Sequence, residues 1–369
     1  MIKSVDFQSI PGRISYKSLY QTLLVVVFTF ATDLIFAHSA YVTNQNSNNV
    51  SVIDTLTNSV TATVTVGSFP SGVAITPDSK FAYVTNETAH NVSVINTQTN
   101  SVIATVTVGN APFGVAITPD GKSAYVANGS TTVSVINTQT NSVTATVTVG
   151  TSSLGIAITP DGKSAYVTNR NGGNVSVINT QTNSVTATIT VGFSPDGVAI
   201  TPDSKSAYVI NGFTNNVSVI NTQTNSVTAT ITVGSFPCGI AITPDGKSAY
   251  VANQTSHNVS VIDTLTNSVT ATVTVGFATF GVAITPDGKS AYVTGPNSNN
   301  VFVIDTQTNS VTATVTVGLQ PVAVAFKLTQ CLRFSNCDSY GRYRPRRSRF
   351  QTQSVCSMSL SHPTVNLPM

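Results

Sequence analysis

Residues 114–128 read GVAITPDGKSAYVAN, and close copies return at 155–169, 239–253 and 281–295. The tyrosine of this stretch sets the period, because its equivalents follow one another at intervals of 41 or 42 residues: Tyr41, Tyr83, Tyr125, Tyr166, Tyr208, Tyr250 and Tyr292. A fixed period of this length is typical of repeat architectures, in which each copy packs against its neighbours. The chain therefore contains seven copies of one structural unit.

Each copy contains four short segments in which side chains alternate with a period of two. In the second copy they are residues 73–76, 81–86, 92–97 and 101–108. Val and Thr dominate these segments, only 8% of the chain is charged and Trp is absent, which favours strands over helices. Thr-Pro-Asp-Gly-Lys turns join the first two segments, and Thr-Gln-Thr-Asn turns join the last two. The sequence predicts an all-β fold, a seven-bladed β-propeller with four antiparallel strands per blade.

Residue size and the chain ends predict how the blades are arranged. The Gly-Val-Ala-Ile strand has the smallest side chains and belongs at the crowded axis, whereas the Thr-rich fourth strand belongs at the rim. The chain enters the pattern in a second strand at 39–41 and leaves it in an inner strand at 322–326. We expect this C-terminal inner strand to pair with the N-terminal strand, because that pairing closes the ring and removes unpaired edges.

The segment before the repeats, residues 1–37, has the layout of a signal peptide. Basic residues precede the apolar run 23–31, and small residues follow it. An uncleaved anchor is the alternative, but Asp33 interrupts an apolar stretch that is already short for a spanning helix. We therefore expect no membrane span in the mature protein. Either form of the leader predicts an extracytoplasmic location: secreted, at the cell surface or in the periplasm.

The repeat body spans residues 38–327, and the pattern stops in the tail, residues 328–369. We expect this tail to be disordered. Its basic cluster could contact nucleic acid, anionic polymer or lipid headgroups by charge alone, through Arg342, Arg344, Arg346, Arg347 and Arg349. An ordinary basic tail and a frameshifted reading frame are the alternatives. Of the four cysteines only Cys238 lies in the repeats, so no disulfide framework supports the fold.

The motif Tyr-Val-Thr-Asn at 41–44, 83–86 and 166–169, together with Thr-Pro-Asp-Gly-Lys and Asn-Ser-Val, resembles the YVTN-repeat β-propeller family. The resemblance covers residues 38–327 and rests on seven copies in phase. It implies a seven-bladed propeller exported to a prokaryotic surface or periplasm, among proteins similar to archaeal surface-layer proteins. It implies no common reaction, because the motif consists of structural residues.

Near-identical copies show which positions the fold leaves free to vary. The turns between first and second strands and between third and fourth strands barely change, and they share one face of the disc, here called the uniform face. The opposite, variable face carries the connections between second and third strands and the crossings into each inner strand, and both differ from blade to blade. Loops on a rigid scaffold commonly carry binding groups. We therefore predict ligand-binding residues on the variable face: Glu87, His90, Phe113, Arg170, Asp196, His257 and Phe280.

The chemistry of these candidates leaves two interpretations open. Glu87, Arg170 and Asp196 could form an acid–base or clamping set if their loops converge over the axis. Phenylalanines near the crossings could form an apolar collar or simply fill gaps between blades: Phe69, Phe113, Phe193, Phe236, Phe277 and Phe280. His90 and His257 lie three blades apart, too far to share a metal, so we predict neither a metal nor a cofactor.

Short sequence patterns suggest two further local roles. Asp54, Asp263 and Asp305 alternate with asparagine in other copies, which is typical of turns closed by the side chain rather than of calcium ligands. The Asn-X-Ser/Thr patterns at Asn86, Asn128 and Asn253 are expected in exposed loops, where they could accept a glycan.

The leading functional hypothesis is a non-enzymatic, extracytoplasmic interaction or surface-layer-like scaffold protein. Its variable face would bind a protein or glycan partner at the cell envelope, and a second copy of the chain is a further candidate partner. The alternative is a propeller enzyme, a lactonase-like hydrolase or a lyase. Nucleic-acid binding, through the tail or the disc, is a third hypothesis.

Overall fold

The computed structural model describes residues 38–328. The predicted leader, residues 1–37, and the tail beyond 328 lie outside the described residues. Within residues 38–328 no helix has the length and apolar character needed to cross a membrane. A short 3-10 helix, Gln45–Ser47, follows the first strand.

The described chain forms seven sheets of four strands, each running from an inner to an outer strand. Blade 1 consists of β28 (Pro321–Leu328), β1 (His38–Asn44), β2 (Asn49–Asp54) and β3 (Ser59–Thr65). Blade 2 consists of β4 (Pro70–Ile75), β5 (Phe81–Asn86), β6 (Asn91–Asn96) and β7 (Ser101–Thr107). Blade 3 consists of β8 (Pro112–Ile117), β9 (Ser123–Asn128), β10 (Thr132–Asn137) and β11 (Ser142–Thr148). Blade 4 consists of β12 (Ser153–Ile158), β13 (Ser164–Asn169), β14 (Asn174–Asn179) and β15 (Ser184–Thr190).

The other three blades repeat this order. Blade 5 consists of β16 (Pro195–Ile200), β17 (Ser206–Asn211), β18 (Asn216–Asn221) and β19 (Ser226–Thr232). Blade 6 consists of β20 (Pro237–Ile242), β21 (Ser248–Asn253), β22 (Asn258–Asp263) and β23 (Ser268–Thr274). Blade 7 consists of β24 (Val282–Ile284), β25 (Ser290–Gly295), β26 (Asn300–Asp305) and β27 (Ser310–Thr316). The predicted seven-bladed, four-stranded antiparallel propeller is confirmed.

The ring closes through the pairing of the last strand with the first. β28 runs antiparallel to β1, with Ala325 opposite Tyr41 and Val324 opposite Val42. Phe326 of β28 also packs edge-to-face on Tyr292 of blade 7, with ring centroids 5.1 Å apart. The C-terminal strand therefore completes blade 1 and also contacts blade 7, as predicted from the positions where the repeat pattern begins and ends.

The core lies between the blades. The second and third strands of each blade are buried on both faces, because each sheet is covered by two neighbours. Between blades 2 and 3, for example, Tyr83 and Val94 pack against Ala124 and Val126. Fully burying a valine contributes about 1.5–3 kcal/mol, so seven such layers supply much of the cohesion. The outer strands are mostly exposed: Val60 is 38% exposed, so at the rim apolar positions also meet water.

Tyrosine hydroxyls connect each blade to the next. Tyr125, 1% exposed, donates to Asn183 Oδ1 at 2.6 Å and to the Thr180 carbonyl at 3.0 Å. The acceptor asparagine sits in the outer turn of the neighbouring blade with a φ of +52°, a conformation that asparagine tolerates better than most residues. The same tyrosine–asparagine contact occurs at all seven junctions of the ring. The repeated tyrosine is therefore an inter-blade residue.

Two of the local predictions have different outcomes. Asp54 Oδ1 accepts the N–H groups of Leu56 and Thr57 at 2.8 and 3.0 Å, and Asn96 closes the equivalent turn in the same way, so the side-chain-closed turn is confirmed. The expectation that Asn86, Asn128 and Asn253 lie in exposed loops is wrong, since all three are 0% exposed. The Asn86 amide donates to Asn91 Oδ1 and Ser93 Oγ, which makes it a buried structural group.

Candidate functional site

The inner strands surround a central cavity of about 490 Å³, to which all seven blades contribute side chains. Small residues are required there because adjacent inner strands approach closely. A Cβ on Gly155 would overlap the carbonyl oxygen of Asp196 in the next blade, and one on Gly72 would overlap that of Phe113. The residue before each of these glycines lines the cavity, so this variable position is brought to the axis in each blade.

A repeated backbone geometry fixes the residue that follows each Tyr-Val-Thr-Asn motif. The N–H of Glu87 donates to the carbonyl of Phe69 at 2.9 Å, and the N–H of Arg170 donates to that of Ser152 at 2.9 Å. Phe69 and Ser152 both have φ near +58°, a left-handed conformation that is uncommon outside glycine. The fold therefore holds Glu87 and Arg170 at equivalent positions on the cavity wall, two blades apart, and lets their side chains differ.

Most of the cavity wall is apolar. Phe69, Phe113, Phe236 and Phe280 line it together with Leu154 and Val322. The remaining two phenylalanines of the predicted collar are not among the residues that line the cavity: Phe193 is 74% exposed and Phe277 is 51% exposed. The collar thus consists of four rings rather than six, and the apolar wall suits an apolar part of a ligand.

The first polar cluster of the cavity joins blades 4 and 5. Arg170 Nε lies 2.9 Å from Ser194 Oγ and 3.2 Å from Asp196 Oδ1. The Asp196 side chain is 14% exposed and that of Arg170 is 36% exposed. Burial raises the pKa of Asp196 to about 6, and the Arg170 guanidinium offsets only part of this rise. The Asp196 carboxyl is therefore mainly ionised at neutral pH and forms a partly buried ion pair with Arg170.

Cys238 lies next to this pair and is 7% exposed. Burial, followed by the negative charge of Asp196, raises the pKa of its thiol to about 12. A thiol with such a pKa stays protonated at neutral pH and is a poor nucleophile. Its contacts are weak ones, to the Phe236 carbonyl at 3.5 Å and to Gln254 Oε1 at 3.9 Å. This environment agrees with the small, buried filling role that a lone cysteine commonly has.

The second polar cluster joins blades 1 and 2. Gln45 Nε2 donates to Ser71 Oγ at 3.1 Å, and Ser71 Oγ donates to Glu87 Oε2 at 3.2 Å. All three residues line the cavity. Sequence reasoning selected Glu87 but not Gln45 or Ser71. The sequence contained the information needed to select both residues. Ser71 precedes an inner-strand glycine, and Gln45 directly follows a Tyr-Val-Thr-Asn motif, the position that Glu87 and Arg170 occupy in their blades.

Five of the seven predicted site residues line the central cavity: Glu87, Phe113, Arg170, Asp196 and Phe280. His90 and His257 are not among the lining residues. Both have positive φ, +54° and +55°, in turns where blades 1, 5 and 7 place asparagine. His90 Nδ1 accepts the N–H of Ala111 at 3.0 Å, as Asn48 Oδ1 does for Phe69. These histidines occupy turn positions outside the cavity lining, and their assignment as ligand-binding groups stays a prediction.

The described residues contain no group of three or more His, Cys, Asp or Glu side chains placed to hold a metal ion. The charged groups of the cavity are instead engaged with neighbours, Arg170 with Asp196 and Glu87 with Ser71. The cavity therefore combines an apolar wall with two fixed polar clusters on different sides of the ring.

Two family profiles match parts of the chain. The cytochrome D1 heme domain profile matches residues 80–224, and the YNCE-like beta-propeller profile matches residues 202–280. Each match spans less than half of the chain. Together with the structural neighbours they support a β-propeller family.

Solved structures share the architecture. Hydrazine synthase of Kuenenia stuttgartiensis superimposes with a TM-score of 0.67 and 27% identity, covering 72% of this chain and 92% of that chain. A functionally unknown protein of Desulfotomaculum acetoxidans gives a TM-score of 0.72 at 19% identity, and a putative 6-phosphogluconolactonase of Bacteroides uniformis gives 0.68 at 18%. In both cases 79% of this chain and 99% of the other are covered, and at such identities the likeness concerns the fold.

One curated protein resembles a short segment. The PE-PGRS family protein PE_PGRS18 of Mycobacterium tuberculosis is 65% identical over 37 residues, or 10% of this chain. The matched segment spans only 8% of that protein's length. The match is slightly shorter than one 41- or 42-residue repeat of this chain and carries no information on activity.

Proposed function

We propose that this propeller is a non-catalytic, extracytoplasmic interaction protein of the YVTN-repeat, surface-layer-like type, which binds a protein or glycan partner through its variable face. One observation carries the proposal: two sets of positions that differ between otherwise near-identical blades contribute side chains to one central cavity, namely the residue before each inner strand's Gly-Val-Ala-Ile and the residue after the Tyr-Val-Thr-Asn motif. Duplication preserves what the fold needs, so side chains that differ at one shared location are the ones free to serve a ligand.

The electrostatics of the cavity favour binding over catalysis. A general acid or base must reach its substrate with a free proton-transfer site. Asp196 is paired with Arg170, and Glu87 accepts a hydrogen bond from Ser71. These contacts hold the charged groups in fixed positions, where they can recognise a ligand. These contacts use one oxygen of each carboxylate, Asp196 Oδ1 and Glu87 Oε2, and the two carboxylates lie in clusters on different sides of the ring, so nothing in the geometry favours a hydrolase or lyase over binding.

A haem group is the cofactor suggested by the matched cytochrome D1 heme domain profile, so its fit can be tested against the donor set. Haem iron is held by His, Met, Tyr or a Cys thiolate. Among the described residues that line the cavity there is no His, Met or Tyr, and the Cys238 thiol has its pKa raised to about 12. The residues of the cavity therefore do not fit a haem ligand set, and we assign no chemistry to one.

The test replaces residues that line the cavity with the residues found at the equivalent positions of other blades. The face variant carries Phe113→Ser and Phe280→Ser, copying Ser71, and Arg170→Gly, copying Gly129. The matched control carries Lys122→Gln and Lys163→Gln in exposed turns of the uniform face. Both variants and the wild type are used to capture partners from the native cell envelope.

We expect the wild type and the control to retain the same partner and the face variant to lose it, with all three melting cooperatively. Retention by the face variant would contradict the proposal. Truncation after Leu328 separates the third hypothesis, since a partner that requires the arginines between 342 and 349 binds the tail rather than the cavity. A nucleic-acid partner lost on this truncation would favour the tail.

A further inference from the structure

We propose that Arg170 is the receptor for a single carboxylate group carried by a ligand with an apolar body, so that the central cavity recognises apolar monocarboxylic acids. The inference rests on the proposed binding function of the cavity and specifies the chemistry of its ligand. It follows from how Arg170 is held, from the charge balance around it and from the composition of the remaining wall.

Arg170 is held at one end of its guanidinium group. Ser194 Oγ and Asp196 Oδ1 both lie next to Nε, at 2.9 and 3.2 Å. The hydrogen bond to Ser194 and the 3.2 Å contact with Asp196 both use Nε rather than the two terminal nitrogens, and the side chain is 36% exposed where it lines the cavity. Two terminal N–H groups of a fixed guanidinium match the two oxygens of a carboxylate, which makes a bidentate pair.

The cavity offers one cation, Arg170, among the described residues that line it, so an anionic group can pair only there. Besides Arg170 it contains the carboxylates of Asp196 and Glu87, so the three charges sum to −1 when all are ionised. A ligand with a second negative charge would meet like charge within a confined, partly apolar space. A single carboxylate can pair with Arg170, whereas the second charge of a phosphate or dicarboxylate would meet carboxylates and no cation among the described lining residues.

The rest of the wall selects for an apolar body. Leu154 belongs to the same blade as Arg170, and the rings of Phe113, Phe236 and Phe280 also line the cavity. A volume of about 490 Å³ lies within the range of about 300–1,000 Å³ that is usual for small-ligand sites. The cavity can therefore take one aromatic or branched aliphatic group attached to a carboxylate. Such a group occurs both in free organic acids and at the C-terminus of a peptide.

The experiment measures binding to the full-length chain by isothermal titration calorimetry. The probes are 3-phenylpropanoate, 3-phenylpropanamide, a hexapeptide ending in Phe with a free carboxylate, the same peptide amidated, and glucuronate. We expect each carboxylate probe with a Phe-like body to bind about 10- to 100-fold more tightly than its amide, the range for a hydrogen-bonded charge pair. Glucuronate, which has the carboxylate on a polar body, should bind more weakly than 3-phenylpropanoate.

The variants use substitutions that the repeats already accept. Arg170→Gln copies Gln254 of blade 6 and should reduce carboxylate binding about 10- to 100-fold while leaving amide binding unchanged. Arg170→Lys keeps the charge without the planar pair of donors and should give an intermediate affinity. Lys122→Gln removes an exposed cation of the uniform face and should change nothing. A melting curve for each variant verifies that the ring is intact.

The outcomes distinguish the source of the carboxylate from the role of Arg170 as its receptor. Tighter binding of the free-carboxylate peptide than of 3-phenylpropanoate identifies a chain terminus as the source, and the reverse identifies a small acid. Both results support the carboxylate receptor. Equal binding of acids and amides, insensitivity to Arg170→Gln, preference for glucuronate, or no binding of any probe overturns it. The general binding role of the variable face is tested separately by the partner-capture experiment and can survive each of these results.

Discussion

Replacing Tyr292 by Phe removes a single hydroxyl from the junction where the chain ends meet. This hydroxyl donates to Asn58 Oδ1 at 2.6 Å, across 234 residues of sequence, and links blade 7 to blade 1. Tyr292 is 1% exposed, so the ring itself stays in place when the oxygen is removed. Asn58 is partly exposed on the neighbouring turn, and water can satisfy its amide oxygen. The loss should therefore be that of one ordinary hydrogen bond, about 1–1.5 kcal/mol.

The expected change in melting temperature follows from the size of the described body. Its roughly 290 residues, at about 2.1 cal/mol/K each, give an unfolding entropy of about 0.6 kcal/mol/K. A loss of about 1.2 kcal/mol then lowers Tm by about 2 °C. Differential scanning calorimetry resolves such a shift. Tyr125→Phe is the matched control, because its hydroxyl makes the same contact, with Asn183 at 2.6 Å, at a junction within the continuous chain.

A double-mutant cycle with Asn58→Gly isolates the contact itself. Asn58 has a φ of +50°, which glycine adopts without strain, so this substitution mainly removes the acceptor. We expect a coupling energy of about 1 kcal/mol at Tyr292–Asn58 and a similar shift in Tyr125→Phe. A loss above about 4 kcal/mol in Tyr292→Phe alone would show that the closing junction is not equivalent to the others. No shift in either variant would refute the stabilising role of the tyrosine–asparagine contacts.

Three further predictions concern closure, the axis and the ion pair. Truncation after Gly318 removes β28 and exposes the edge of β1, and we expect protein that is insoluble or rapidly proteolysed; a soluble, cooperatively melting product would contradict closure. Gly155→Ala places a methyl group against the Asp196 carbonyl and should cost about 1–3 kcal/mol by urea denaturation, whereas an unchanged midpoint would show that the inner strands can separate. The pKa of Asp196 is raised in the folded chain to about 6 from 3.8, so the folded chain binds this proton more tightly than the unfolded chain does. The free energy of unfolding should therefore fall by up to about 3 kcal/mol as the pH rises from 4 to above 6. Asp196→Ser, which copies Ser71, should lose this pH dependence, and an identical profile in the variant would refute the assignment.

The sequence was sufficient for the architecture because the rules that set it are local and were repeated seven times. Alternation in segments such as 81–86 marks strands, and the turn residues between them mark hairpins. In β5 the structure has the predicted bounds, Phe81–Asn86. The sequence also predicted how the ring closes. The repeat pattern begins in a second strand and ends in an inner strand, so the last strand can complete the blade of the first strand by pairing with it. The observed pairing of β28 with β1 is that one.

The position of a residue in the sequence did not predict its exposure where a neighbouring segment of the chain covers that residue. Asn86 ends a strand and precedes a variable loop, and this placement suggested exposure. In the structure Asn86 is covered by Gly67, which follows the outer strand of the preceding blade. The two residues are so close that a Cβ on Gly67 would lie 2.7 Å from the Asn86 side chain. Position in the sequence also did not show that His90 accepts the same backbone hydrogen bond in its turn as Asn48 does in blade 1.

The sequence by itself thus determined the number of blades, the order of strands and the closure, since these follow from local alternation and turn chemistry in a repeated pattern. It also indicated the variable face, because near-copies reveal the unconstrained positions. Only the tertiary structure decided which variable residues meet. Arg170 and Asp196 are 3.2 Å apart although they belong to different blades, and Gln45 contacts Ser71 across another junction. Such pairings depend on the close approach of inner strands at the axis, a distance set by the whole ring and encoded in no single repeat.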